Sequence, residues 1–566
     1  MRRVASVGSL LLLLVFSIAG GEQSVNAASA TPPPAGLEID ASQPGPEAPS
    51  ATRTPSRNRR ATADFRSSVL RTGILALALV IFAIGLRKSD LGLRGQRIRK
   101  WSLVLLALAA YGSYYQFFQT GHPHGFSTTD NFHYYVGSKY FEELGYYGLY
   151  ECSITVLHER GVRVPGGPNP KVRELRSMEL QPLEVIRMQG SKCRERFSPE
   201  RWSTFSRDVG FFVEQWPPHI RNAIWSDHGY HPTPLWTSIG GQIAEWMPTD
   251  DPSDLYVLKR IDRIIIALTL LIITWAFGIE VGCLAAILWG TGHLWRYTWI
   301  GDAFLRHLWW TAIFLGLCAI RRGAMGWGGM GLTAGTALRL FPGAFGIGYL
   351  AGAISNALRG ASQKYNLTRF FVGCVLALSV ISLVIGTSVG LHALIGFAAK
   401  IGEFTALAAT NKVGLSAWLG SLPAPVAPLA PILRATILVL FAFLFWRGLR
   451  DALPWEASAL GFALIPFLTD PTNYYYSFFA MGVVLAHRRP IIGLILLATG
   501  LAWDLSGLLL YRTYAEFSVA SAIAIVGASA ATWAMGVVPA RDSESTSTSP
   551  ALKAEPGART HDRAPR

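Results

Sequence analysis

Stretches of about 20 apolar residues recur from residue 70 to residue 538, and about 20 is the number a helix needs to cross the hydrocarbon of a bilayer. The runs are continuous rather than alternating, which argues against a membrane β-barrel. Only 15% of the residues are charged, where a soluble domain carries roughly 25%. The chain is therefore expected to be an all-α, polytopic helical membrane protein. Thirteen spans are predicted near residues 70–86, 101–118, 261–278, 280–297, 304–320, 326–341, 342–357, 367–390, 429–446, 455–468, 473–487, 490–510 and 516–538. The short pair over 326–357 can also be read as re-entrant.

The formal charge of +15 would suggest nucleic acid in a soluble protein. Here the basic residues cluster in short loops, at 87–100, 321–322, 359–369, 447–450 and 488–489. Alternating spans from an outside start put all five clusters inside, as the positive-inside rule expects. The Arg-rich stretch 53–71 falls outside and is the exception. Topology explains the charge, and no nucleic-acid partner is expected.

Residues 1–30 read as a signal peptide, with Arg2 and Arg3, an apolar stretch and an Ala28-Ser29-Ala30 cleavage pattern; an uncleaved first span is the alternative. Residues 31–68 read as a disordered linker rich in Pro, Ser, Ala and Arg, 69–538 as the transmembrane domain, and 539–566 as a disordered cytoplasmic tail. Two outer loops stand out, at about 119–258 and 391–428. The second is apolar enough to lie in the interface or cover a cavity. Of the five cysteines, Cys283, Cys318 and Cys374 lie in apolar spans. Cys152 and Cys193 share the first loop and can pair if it faces an oxidising compartment. Gly348 and Gly352 make a G-x-x-x-G, a helix-packing signal.

The stretch TTDNFHYYVGSKYFEELGYYGLYE, residues 128–151, follows the second span. Phe132, Val136, Tyr140 and Leu144 recur every four residues, which predicts a helix, with tyrosines at headgroup level. Asp130 opens it, either as a helix cap or as a functional acid. Farther on come YHPTPLW at 230–236, GLTAGTALRLFPG at 331–343, TNKVGLSAWLGSL at 410–422 and DPTNYYYSFFAMG at 470–482.

In that order these stretches resemble the GT-C superfamily of membrane glycosyltransferases, and within it the bacterial polyprenyl-phosphate-mannose-dependent α-mannosyltransferases. The likeness covers about residues 100–510. The family's early acid and following aromatic would be Asp130 and Tyr134 or Tyr135, with Leu149-Tyr150 soon after. Its Y-x-P-P-L-like element matches Tyr230 to Leu235, with His231 inside it and Thr233 in place of one proline. Its small-residue span ending in a basic residue and proline matches Ala334 to Pro342, and its N-x-S-L-like loop matches Asn411 to Leu415 loosely. The resemblance implies transfer of a hexose, mannose for instance, from a polyprenyl-phosphate donor to a lipid or glycan acceptor at the outer face of the inner membrane, with Asp130 as general base.

A lipid-phosphate donor needs cations, because guanidinium grips phosphate with paired hydrogen bonds. Arg339 is the first candidate, snorkelling being its structural alternative. Arg306 and His307 come next, then His392 and Lys412, which also read as surface residues. Asp302 is either a second acid near Asp130 or an i,i+4 partner of Arg306. Tyr475 and its two neighbours either line the substrate groove or join an aromatic belt. No cluster has recognised metal-ligand spacing and no cofactor is expected, although some GT-C relatives use a divalent ion, for which Asp130 with Asp302 would be the available acids. A transporter, flippase or ligase of lipid-linked glycans is the rival class.

Overall fold

The computed structural model describes residues 55–87, 92–118, 128–164, 169–216, 218–250, 252–360, 365–406, 411–510 and 515–541. The expected signal segment, residues 31–54 of the expected linker and the tail beyond 541 lie outside the described residues. These residues are mostly helical, with one two-stranded ribbon pairing Lys171–Arg173 and Leu180–Pro182. Among the described residues five helices are long and apolar enough to cross a membrane: Phe65–Arg87, Leu367–Ser388, Ala427–Gly448, Pro490–Leu510 and Ala515–Val537. Four shorter apolar helices accompany them, at Ile279–Thr291, Leu308–Arg321, Gly343–Leu358 and Pro454–Leu468. The protein is thus an all-α membrane protein in its gross architecture.

The first helix runs over Pro55–Arg87, so residues 55–68 are helical where the composition suggested disorder. Proline at its first position is pre-organised for a helix start, and one apolar helical run carries the segment onward. The segment 473–487 is likewise less regular than a span: it is built from short turns at Asn473–Phe478, Phe479–Gly482 and Val483–His487.

Small residues set how closely the helices approach. A Cβ on Gly373 would lie 1.9 Å from the Gly326 carbonyl oxygen, so Leu367–Ser388 packs backbone to backbone on Met325–Leu338. A Cβ on Gly348 would lie 2.3 Å from the Ala457 carbonyl, and one on Gly352 2.5 Å from the Ala457 Cβ. The G-x-x-x-G is therefore a packing face, against the helix Pro454–Leu460.

Contacts between helix ends fall into two groups. One joins Arg99 to Glu280, Arg321 to His487, and Glu456 to Arg488 and Arg489. The other joins His293 to Glu516, the Asn411 carbonyl to the Asn473 amide, and Asp130 to Arg306.

The first large loop is a folded unit. Cys152 and Cys193 form a disulfide, clamping the helix Gly148–Glu159 to the turn at Gly190–Arg196. Asp208, fully buried, accepts from Lys139 at 2.8 Å, Tyr140 at 2.7 Å and Thr249 at 2.6 Å. Stretch 128–151 is not a surface helix with tyrosines in the headgroups. A π-helical turn occupies Phe132–Val136, and Gly145 breaks the chain at φ 55°. Tyr134, Tyr135, Tyr140, Tyr146 and Tyr150 are all buried. Their burial is tolerated because hydroxyls find partners: Tyr135 donates to Met247 O, Tyr146 to Pro232 O and Tyr150 to Ile224 O.

The second loop holds the helices His392–Ala406 and Leu415–Gly420. It docks on the first through Lys400, which donates to Leu175 O at 2.6 Å, and Glu403, which accepts from Tyr147 at 3.0 Å.

Candidate functional site

Asp130 lies in the short helix Thr128–Asn131. Its carboxylate does not cap that helix; Oδ1 accepts from the Arg306 guanidinium, and Oδ2 is buried without a hydrogen-bond partner among the described residues. Arg306 also donates to Tyr134 Oη at 2.7 Å and Tyr475 Oη at 3.4 Å. Its guanidinium carbon sits 4.3 Å from the Tyr134 ring centre and 5.1 Å from that of Tyr474, within cation–π range.

Arg339 closes the other side. It is the residue at which the helix Met325–Leu338 turns extended, just before Pro342 prepares the next helix. It is 7% exposed, and among the described residues no carboxylate pairs with it. One nitrogen donates at 3.4 Å to the carbonyl of Leu338, while Nε and Nη2 are buried without partners among the described residues. Its guanidinium carbon lies 5.8 Å from the Tyr134 ring centre and 5.5 Å from that of Tyr475. Two arginines thus share two tyrosines, with one carboxylate beside them.

Aromatic walls hold this group. Trp236 meets Tyr134 edge-on at 4.9 Å, Phe341 lies 5.3 Å from Tyr475, and Trp309 lies 5.0 Å from Phe341. Trp236 belongs to the helix Pro234–Trp246, which Thr233 caps by accepting from the Trp236 amide. Thr233 also donates to Leu338 O at 3.3 Å. The threonine that departs from the Y-x-P-P-L-like pattern therefore ties the first loop to the peptide preceding Arg339. His231 packs 6.2 Å from Tyr134. Burial, reinforced by Arg339 and Arg306, pushes its imidazole down to about 3, so it is neutral at physiological pH.

The remaining expected residues divide. His307 donates from Nδ1 to the Asp262 carboxylate at 3.0 Å rather than facing the arginines. Tyr230 hydrogen-bonds Thr237 at 2.7 Å and packs 6.4 Å from Tyr134, behind the site. Tyr135 turns away, toward Met247 and Lys139, because neighbours in a helical turn point to different faces. Asp302 does not pair with Arg306. Its carboxylate accepts from Arg263 at 2.7 Å and from Tyr297. An i,i+4 pair needs helix between its members, and here Asp302 and Leu305 take positive φ, 55° and 49°. His392 is exposed. Lys412 bridges to Thr472 through the backbone, and Asn411 accepts from the Asn473 amide at 2.9 Å. Those two support the tyrosine run from its preceding residues.

Sequence reasoning passed over Asp262, whose Oδ2 accepts from the Arg306 amide at 3.0 Å as well as meeting His307. Its signal was available: a carboxylate at the start of an apolar run is costly, and so is a flag. Asp130 and Asp302 do not fit a divalent ion, since each already faces an arginine whose charge repels one. Among the described residues, Glu151, Cys152 and Cys193 lie close enough to hold a metal, but both sulfurs are in the disulfide. No protein-family model matches the chain, nor does any curated protein or solved structure.

Proposed function

We propose that the protein is an integral-membrane glycosyltransferase that moves a hexose, mannose for instance, from a polyprenyl-phosphate donor to a lipid or glycan acceptor. In this reading the bundle has about thirteen spans and sits in a bacterial inner membrane, with the Asp130–Arg339 group facing outward. The observation that supports it is the pairing of unsatisfied groups: two nitrogens of buried Arg339 and one oxygen of Asp130 lack partners around a shared pair of tyrosines. A buried unpaired guanidinium is costly to the fold, and an anionic ligand offsets that cost.

The chemistry balances in charge. A sugar phosphodiester carries one negative charge, and with Asp130 it neutralises Arg306 and Arg339. The acceptor hydroxyl attacks the anomeric carbon while its proton moves to Oδ2 of Asp130. The bond from that carbon to the phosphate oxygen breaks. The leaving phosphate monoester gains a second negative charge as Asp130 loses its own, so the site stays neutral throughout. Arg306 fixes the carboxylate through Oδ1, leaving Oδ2 for the acceptor, as general-base geometry requires. One direct displacement inverts the anomeric configuration.

The test is transfer by the purified protein in lipid nanodiscs, supplied with radiolabelled polyprenyl-phosphate hexoses and a panel of glycan and lipid acceptors. Label in a new acceptor, with release of polyprenyl phosphate, is the expected result. Movement of intact lipid-linked sugar between leaflets without cleavage would overturn the enzyme reading in favour of a flippase.

A further inference from the structure

We infer that Asp262 is a positioning residue for this site, acting through Arg306. The inference rests on the glycosyltransferase reading. Asp262 belongs to the helix Pro252–Phe277 and is 5% exposed. With Arg263 next to it, it grips both ends of a turn that has no regular structure of its own. Arg263 holds the Asp302 carboxylate at the start of the turn, and Asp262 holds the Arg306 amide and the His307 ring at its end. Between them the backbone passes through positive φ twice, at Asp302 and Leu305. Such a conformation is costly for a residue with a Cβ and persists only where its surroundings fix it.

The turn delivers the Arg306 guanidinium to Asp130, Tyr134 and Tyr475 together. Each of those contacts depends on where the Arg306 backbone lies, and a shift of about 1 Å at a reacting group costs on the order of 10²-fold in rate. The backbone position is set by a carboxylate whose own side chain makes none of the site contacts described above. Among the described residues Asp262 pairs with no arginine or lysine side chain: its Oδ2 accepts from the Arg306 amide and from the His307 ring, so two hydrogen bonds at one oxygen hold the turn.

Steady-state transfer and donor binding in nanodiscs test this for Asp262→Asn, Arg306→Ala and the double variant. Asp262→Asn is expected to lower kcat about 10- to 100-fold while the donor Kd, set by Arg339, moves less than about threefold. The double variant should be no slower than Arg306→Ala alone, because the two residues act as one unit. If Asp262→Asn does not fold, Asp262→Glu carries the same cycle, with partial recovery of kcat expected from the retained carboxylate. Wild-type kcat in the single variant, or multiplicative losses in the double, would overturn the inference. Absence of transfer by wild-type protein would instead reject the glycosyltransferase reading.

Discussion

The segment from Asn473 to Arg489 has a charged cluster at each end, and the two are built on opposite principles. At its far end Glu456, wholly buried, accepts from Arg488 at 2.9 Å, from Arg489 at 2.7 Å and from the Leu453 amide at 2.8 Å. Arg489 adds a bond to Val538 O, and the carboxylate has no unused oxygen. At its near end Tyr475 stands between Arg306 and Arg339, where polar atoms of both arginines and of Asp130 have no partner. A saturated cluster fastens helices together. An unsaturated one at comparable burial holds binding capacity at the expense of stability. In the proposed reading the contrast separates an anchor from a candidate site.

In the proposed reaction, breaking the base should have the largest effect. Asp130→Asn preserves shape but cannot take a proton, and should slow transfer about 10²–10⁴-fold with donor binding retained; transfer at the wild-type rate would return Asp130 to a purely structural role. Breaking the anchor comes next. Glu456→Ala leaves two arginines facing one another and should destabilise the protein by about 3–5 kcal/mol, read from denaturation in detergent, while the folded fraction keeps its turnover.

Arg339 sharpens the contrast further. Arg339→Ala should weaken donor binding about 10- to 100-fold, the worth of charged hydrogen bonds of about 1.5–3 kcal/mol. Arg339→Lys should weaken it less, since lysine keeps the charge but loses the fork. Arg339→Leu should leave the unfolding midpoint unchanged or higher, the reverse of Glu456→Ala. A marked drop in stability would make Arg339 an anchor too.

Lys400 gives the smallest effect. Burial pushes its amine down to about 8 from an ordinary 10.5. Between those values the unfolded chain holds a proton that the folded one has released, so stability rises with pH across that window. Protection of the helix His392–Ala406 against amide exchange, corrected for intrinsic rate, should increase from pH 7.5 to 9.5, and Lys400→Met should abolish the increase.

Much of this was legible in the chain. The apolar runs located the long helices, with Leu367–Ser388 and Pro490–Leu510 falling almost where hydropathy placed them. The order of Asp130, Arg306, Arg339 and Tyr475 pointed to residues that the fold gathers. Long-range pairing was not legible. Arg306 lies four residues from Asp302 yet bonds Asp130, because positive φ between them undoes helical spacing. The tyrosines of 128–151 looked interfacial because periodicity reports a face and not what covers it; the covering comes from residues such as Met247 and Asp208, far along the chain. Asp262 could be flagged as a carboxylate in an apolar run, but its bond to the Arg306 amide could not, because no side-chain motif encodes a peptide N–H.

The backbone pairing of Lys412 with Thr472 has a mechanical consequence. Val413 N also donates to Pro471 O, and Tyr476 Oη to Val413 O at 2.7 Å, so the loop strand and the tyrosine run form one mechanical piece. The loop cannot swing aside without drawing Tyr474 and Tyr475 off the arginines. In the proposed reading, the part of the second loop that would border the donor's lipid chain and the tyrosines beside the two arginines then belong to one connected element.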